Sequence, residues 1–255
     1  MLKLFKPGSL RLLSISVLLI VSACSIMPQG KPEQVLQISI ESLRKQDYYT
    51  YVSRNSLSLS GYSLPQNVMY EGYVANGQVY TLGETRWLMS SNKASLVEVT
   101  PIKKLELLNA LNKSTEWNQE LSVNQRVIRV TLDPEAITEQ IAAELREQQR
   151  MLAVDSIGQL EGQTGNLASK RRQELERVLE SSNHELEEML QSLQAECSYN
   201  LWLHTATNLP QKLHVETTMH YVLNGENKEE LKTLIYEFKD YNKQKNKYHA
   251  TIEGG

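Results

Sequence analysis

Apolar and polar positions recur along this chain with two different periods, and the switches between them mark its elements. Val35, Leu36, Ile38, Ile40 and Leu43 fall at helical spacing. Pro32 suits the first turn of such a helix, where its missing N–H would have no partner. From about 50 to 100 the period falls to two. Leu57 and Leu59 alternate with serines, and Val68, Tyr70, Gly72 and Val74 alternate toward Asn76-Gly77, followed by Gln78 to Leu82. Asn-Gly between alternating runs predicts a tight hairpin, because its two central residues must take positive φ. Arg86 to Met89, Ser95 to Val99 and Arg126 to Thr131 read as further strands. Ile102, Leu105, Leu108 and Leu111, spaced by three, give a short helix over Pro101 to Leu111.

Residues 134–196 differ, being rich in Glu, Gln, Leu and Arg. Ile137, Ile141, Leu145 and Leu152 mark one amphipathic helix, and Leu175, Leu179, Leu186, Met189 and Leu193 mark a second. Gly158, Gly162 and Gly165 break helix between them. Alternation then returns. Leu213, Val215, Thr217, Met219, Tyr221 and Leu223 interleave with Lys212, His214, Glu216, Thr218, His220 and Val222, so one face is mostly apolar. Asn224-Gly225 ends this strand, and a partner runs from about Glu230 to Tyr241. The expected fold class is α+β: a large curved antiparallel sheet covered by helices, with a helical hairpin inserted over about 134–196.

The first residues carry an address. Lys3, Lys6 and Arg11 make a basic start, Leu12 to Ile20 is apolar apart from two serines, and the small residues Ser22 and Ala23 precede Cys24. These are the three parts of an export signal, and the apolar run is shorter than the ~20 residues a membrane span requires. Val21-Ser22-Ala23-Cys24 resembles the lipobox of bacterial lipoproteins. That resemblance implies a diacylglycerol on the Cys24 sulfur, removal of signal peptide 1–23, and a freed amine open to acylation. Two or more acyl chains anchor stably without any other membrane segment. Residues 24–32 then form a lipidated tether containing Pro28, Gly30 and Pro32, reaching no more than about 30 Å. The expected location is the cell membrane, extracytoplasmic face, with 33–255 as the exported domain.

Charge and cysteines narrow the partners. The chain carries 27 Lys and Arg against 30 Asp and Glu, and loss of the signal makes it more acidic. This balance speaks against a nucleic-acid partner and against broad adhesion to anionic headgroups. With Cys24 lipidated, Cys197 has no partner within the chain and reads as a small buried apolar residue. Catalytic patterns are missing. His184-Glu185 begins like a zinc-protease helix, but Glu188 stands where the second ligand belongs. His214 and His220 are six apart on one polar strand face, too far to chelate together. Gly158, Gly162 and Gly165 lack the lysine of a phosphate loop, and no G-x-S-x-G elbow occurs. Carboxylate runs such as Glu185-Leu-Glu187-Glu188 read as a solvated helix face. No catalytic residue, metal ligand or cofactor is expected, and the chain is not read as an enzyme.

The segment Ser198-Tyr-Asn-Leu-Trp202-Leu-His-Thr-Ala-Thr-Asn-Leu-Pro210-Gln-Lys-Leu resembles an element of LolA-like exported lipoproteins, which include the LppX-like proteins and a Gram-positive group. In them a strand meets a tight T-G-L-P turn and a long return strand. Thr207-Asn208-Leu209-Pro210 fills that turn, with Asn in place of Gly; Asn tolerates left-handed φ. His204 stands where an acid is common, and Tyr236-Glu-Phe238-Lys-Asp-Tyr241 resembles the aromatic strand that follows. The resemblance covers 196–242 clearly and 33–131 in architecture only. It implies a half-barrel with helices across its open side, carrying lipid in some members.

Apart from any family, a curved sheet closed by helices leaves room for an apolar cavity, and burial there favours acyl chains. Candidate lining residues are Tyr70, Tyr80, Trp87, Met89, Trp202, Met219, Tyr221 and Tyr236. The function expected is a membrane-anchored protein that binds a lipid or other hydrophobic ligand. The alternative is a cell-envelope interaction protein, of sporulation or wall assembly, that meets a protein partner through its acidic helical hairpin.

Overall fold

The computed structural model describes residues 30–59, 62–63, 68–82, 100–122, 125–158 and 166–243. Helix α1 (Pro32–Arg44) opens the domain and buries Val35, Leu36, Ser39, Ile40 and Leu43. Ile38 lies off that stripe and is 46% exposed. Strands β1 (Tyr48–Leu59), β2 (Tyr62–Ser63), β3 (Val68–Ala75) and β4 (Gln78–Leu82) follow. Helix α2 (Pro101–Ala110) leads to β5 (Asn112–Ser122) and β6 (Gln125–Leu132). Helices α3 (Pro134–Gly158) and α4 (Asn166–Gln191) form the hairpin, and β7 (Gln194–His204), β8 (Pro210–Leu223) and β9 (Glu226–Lys239) complete the chain. The strands predicted at 86–89 and 95–99 lie outside the described residues.

The fold is α+β, with one large open antiparallel sheet in the order β4-β3-β1-β9-β8-β7-β6-β5 and β2 attached to β1. Two tight turns lie where Asn-Gly predicts them: Asn76 and Gly77 have φ of 51° and 76°, and Asn224 and Gly225 have 54° and 77°. Asn208 takes φ 55° in the turn between β7 and β8, where its N–H donates to the His204 carbonyl at 2.9 Å. An asparagine thus does there what glycine does more easily.

The open sheet is joined at its middle by the first and last of the described strands. β9 lies between β8 and β1, and it pairs with β1 from Thr50 opposite Lys239 to Leu59 opposite Glu230. Polar groups fasten one end of this seam. Thr50 donates to Asp240 at 3.1 Å, and the Asn242 backbone N–H donates to the Tyr48 carbonyl at 2.9 Å.

One face of the sheet is covered. Register aligns Leu201 with Leu213 and Tyr236, and Tyr199 with Val215 and Leu234. These residues join Leu36 and Leu43 of α1, Leu105 and Leu108 of α2 and Ile137 of α3 in a single core. Tyr51 meets Tyr236 edge-on at 6.0 Å, and Tyr49 packs against Phe238 and Tyr241. The other face carries Lys212, His214, Glu216, Thr218 and His220, as the alternation requires. Among the described residues, every buried core residue belongs to Pro32–Gly255, which forms one unit.

The helices are held at their starts. Thr100 accepts from the Lys103 N–H and caps α2. Asp133 accepts from the Glu135 and Ala136 N–H groups at the start of α3, satisfying donors that helix geometry leaves free. Along α3 the apolar stripe outruns the sheet, and Leu152 is 49% exposed. None of the described α4 side chains is buried. The two helices meet largely through exposed polar pairs, with Arg146 donating to both Glu187 oxygens at 2.9 and 2.8 Å and Gln149 donating to Ser182.

Two expectations change. β5 was not foreseen: it is an edge strand of sequence NKSTEWNQELS, and too few of its residues are apolar to show a period. The insert stated as 134–196 is shorter, because β7 starts at Gln194 and Leu193 is already in the core.

Gly72 marks a close approach on the covered face. A Cβ there would lie 2.7 Å from the Tyr51 ring and hydroxyl and 2.9 Å from the Tyr80 carbonyl. Gly72→Ala should lower stability by about 1–3 kcal/mol through overpacking. Gly158→Ala, where an added Cβ meets nothing within 4 Å, should not. Urea unfolding of both variants measures the difference, and equal midpoints would contradict this packing.

Candidate functional site

A cleft of about 150 Å³ opens on the covered face, between α2 and α3. Its floor comes from three neighbouring strands. Register places Cys197, Thr217 and Lys232 in one row across β7, β8 and β9. Val215 and Leu234 lie in the row on one side, and Met219 and Glu230 in the row on the other. Along β9 the lining therefore passes from Leu234 through Lys232 to Glu230, from apolar to charged. Leu108 projects from α2 and Leu111 from its C-cap, with Lys104 one turn before Leu108. Ile137, Ile141 and Leu145 line the α3 side at a spacing of four, and Gln140, Glu144 and Gln148 flank them. The site is thus an apolar trough with a mixed, charged rim.

The rim carboxylates already accept hydrogen bonds. Glu144 accepts from Gln140 at 2.9 Å, and Glu230 accepts from the Tyr221 hydroxyl at 3.3 Å. Burial pushes the Tyr221 phenol up in pKa, and the Glu230 carboxylate beside it adds to the effect. The Lys104 and Lys232 ammonium groups have no hydrogen-bond or ion-pair partner among the described residues. On the floor, the Cys197 sulfur accepts from the Thr217 hydroxyl at 3.3 Å. Burial pushes this thiol up; the Thr217 hydrogen bond and the Lys104 charge oppose that shift. The hydroxyl of Tyr199, in the row beside Cys197, is buried without a hydrogen-bond partner among the described residues.

Of the candidate residues, Met219 lines the cleft. Tyr221 and Tyr236 stand on the same face, beside it and deeper in the core. Tyr70 shares that face through its pairing with Ser53, which in turn faces Tyr236. Tyr80 and Trp202 do not. Tyr80 stacks on Tyr73 at 4.7 Å on the opposite face and is 39% exposed. Trp202 lies over the opposite face too, 6.4 Å from the His214 ring, with the Lys212 ammonium 4.8 Å from its own centroid. Both are offset by one residue from the inward positions Val79 and Leu201, and a one-residue offset reverses the face. Trp87, Met89 and Cys24 lie outside the described residues. The cleft walls from α2 and α3 show in the sequence as amphipathic stripes, but none of their residues is among the candidate ligand contacts. Cys197 is buried, as its setting suggested, and it also reaches the cleft floor.

Elsewhere, histidines meet carboxylates singly: His184 with Glu188 at 3.3 Å, His214 with Glu216 at 3.6 Å and His220 with Glu229 at 3.9 Å. Among the described residues no group of three or more His, Cys, Asp or Glu is placed to hold a metal ion, and no helix is long and apolar enough to cross a membrane. No protein-family model matches the chain, and no curated protein matches it in sequence.

A thiolate is disfavoured in so buried a place. In the folded protein, Cys197 should react with a thiol reagent at pH 8 at least ~tenfold more slowly than in urea. Rapid native labelling, followed by absorbance of the released chromophore, would contradict the burial described here.

Proposed function

We propose that this chain is an exported lipoprotein, anchored through Cys24 on the extracytoplasmic face of the cell membrane, whose LolA-like half-barrel domain holds a lipid or other hydrophobic ligand. The cleft between α2 and α3 carries this reading. Its floor and walls are apolar along Leu108, Ile137, Ile141, Leu145, Val215 and Leu234, and charged and polar groups that can face a polar head stand beside them. A volume near 150 Å³ suits a benzene-sized group, hence about six carbons of a chain. The ligand's apolar end enters the cleft and its remainder stays at the rim.

An envelope-interaction role through the hairpin is favoured by one observation. Leu152, Val154, Ile157 and Val178 are exposed on α3 and α4, beyond what the sheet covers. Deleting 150–179 should remove a partner that crosslinks to the hairpin in whole cells while the sheet still folds. Retained crosslinking would end this reading.

Affinity for n-alkyl glucosides should rise about fourfold per methylene, following ~0.8 kcal/mol each, and flatten near six carbons. Thr217→Phe, which fills the floor, should abolish the rise. Calorimetric titration of residues 32–255 measures both, and chain-length independence would overturn the proposal. Cys24→Ser should eliminate incorporation of labelled palmitate into the full chain; persistent labelling would place any acyl group elsewhere.

A further inference from the structure

We propose that the cleft selects an amphiphile with a single tail and an anionic head, a carboxylate or phosphate, and reads that head with Lys104 and Lys232. This inference rests on the cleft being a ligand site and adds the charge of the ligand.

The argument starts from which rim groups are already paired. Four charged side chains line the cleft: Lys104, Lys232, Glu144 and Glu230. Their formal charges cancel, so total charge does not choose between heads. Hydrogen bonding does. Glu144 holds the Gln140 amide and Glu230 holds the Tyr221 hydroxyl. Each of those donors occupies one oxygen of its carboxylate and offsets part of its pull on a cation. The two ammonium groups hold no acceptor among the described residues, so an anion meets them without breaking a bond.

Placement agrees. Lys104 lies one helical turn from Leu108, and its charge is felt at the Cys197 thiol on the floor. Lys232 lies in the Cys197 row, facing Thr217 on β8 and Leu57 on β1, with no carboxylate opposite it on either neighbouring strand. One lysine comes from the helix wall and the other from the sheet. An acyl tail laid along Val215 and Leu234 therefore ends with its head beside both. Charge-assisted hydrogen bonds from two ammonium groups are stronger than neutral ones.

The test titrates residues 32–255 with octanoate, octyl phosphate, octylammonium, octyl glucoside and acetate. Octanoate and octyl phosphate should bind about tenfold or more tighter than octyl glucoside. Acetate, which has the charge without the tail, should bind at least ~hundredfold more weakly than octanoate. Lys104→Met and Lys232→Met should each erase most of the anionic preference while leaving octyl glucoside affinity in place, and Lys104→Arg should retain it. Equal binding of octanoate and octyl glucoside would overturn the head selection and leave the cleft a hydrophobic site. Preference for octylammonium would assign the head to Glu144 and Glu230. Acetate binding as tightly as octanoate would make this a small-anion site. Absence of binding by every alkyl compound would instead overturn the ligand-site reading itself.

Discussion

The pairing of β1 with β9 is the constraint on which the architecture depends. Without it the sheet is two pieces, β4-β3-β1 from the first part of the chain and β9-β8-β7-β6-β5 from the rest. Ten residue pairs join them, and the Tyr49, Tyr51, Tyr236 and Phe238 rings pack across that join. The price is loop closure over most of the domain, since β1 cannot find its partner until nearly all the chain is present. The aromatic side chains answer that cost, because each buries a large apolar area at the place where the two pieces meet.

The cleft follows from how helices cover such a wide sheet. α1, α2 and the start of α3 are docked on its apolar face by Leu36, Leu43, Leu105, Leu108 and Ile137. A helix pair needs 8–10 Å between axes, and side chains narrower than that spacing leave a trough between α2 and α3. The floor beneath is small or thin, with Cys197, Val215 and Thr217 in place of aromatic rings. Larger residues lie deeper, at Tyr199 and Tyr236. The trough thus lies where the floor side chains are small, and the charged rim begins where β9 runs out from under the helices.

Much of the frame was legible in the sequence. Asn76-Gly77 and Asn224-Gly225 announce their turns because few residues tolerate that φ, and β8 announces itself by twelve residues of alternation. The helical hairpin is legible in Ile137, Ile141 and Leu145 and in the glycines that separate its arms. β5 is silent, since an edge strand with a wet face needs few apolar residues. The site was less legible than the frame. Aromatic identity suggested Tyr80 and Trp202, but strand phase puts both outside, and phase depends on counting from a neighbour whose inward direction is known. Leu108, Ile141 and Leu145 show their helical period plainly, yet nothing in the sequence says that a trough lies between their helices.

The hairpin enters between β6 and β7, strands that are hydrogen-bonded neighbours. Its roots are tied to the sheet, where the Ala195 N–H donates to Thr138 and the Val222 N–H donates to Ser192. Beyond those roots its helices share few buried contacts. Such an arm can open and reclose with the sheet intact, at a free energy below that of global unfolding. Amide protons of its outer turns would exchange through that local opening, and those of β7 only when the whole domain comes apart. The molecule is then two cooperative bodies of unequal stability in one chain, and the α3 wall of the cleft spans the border between them.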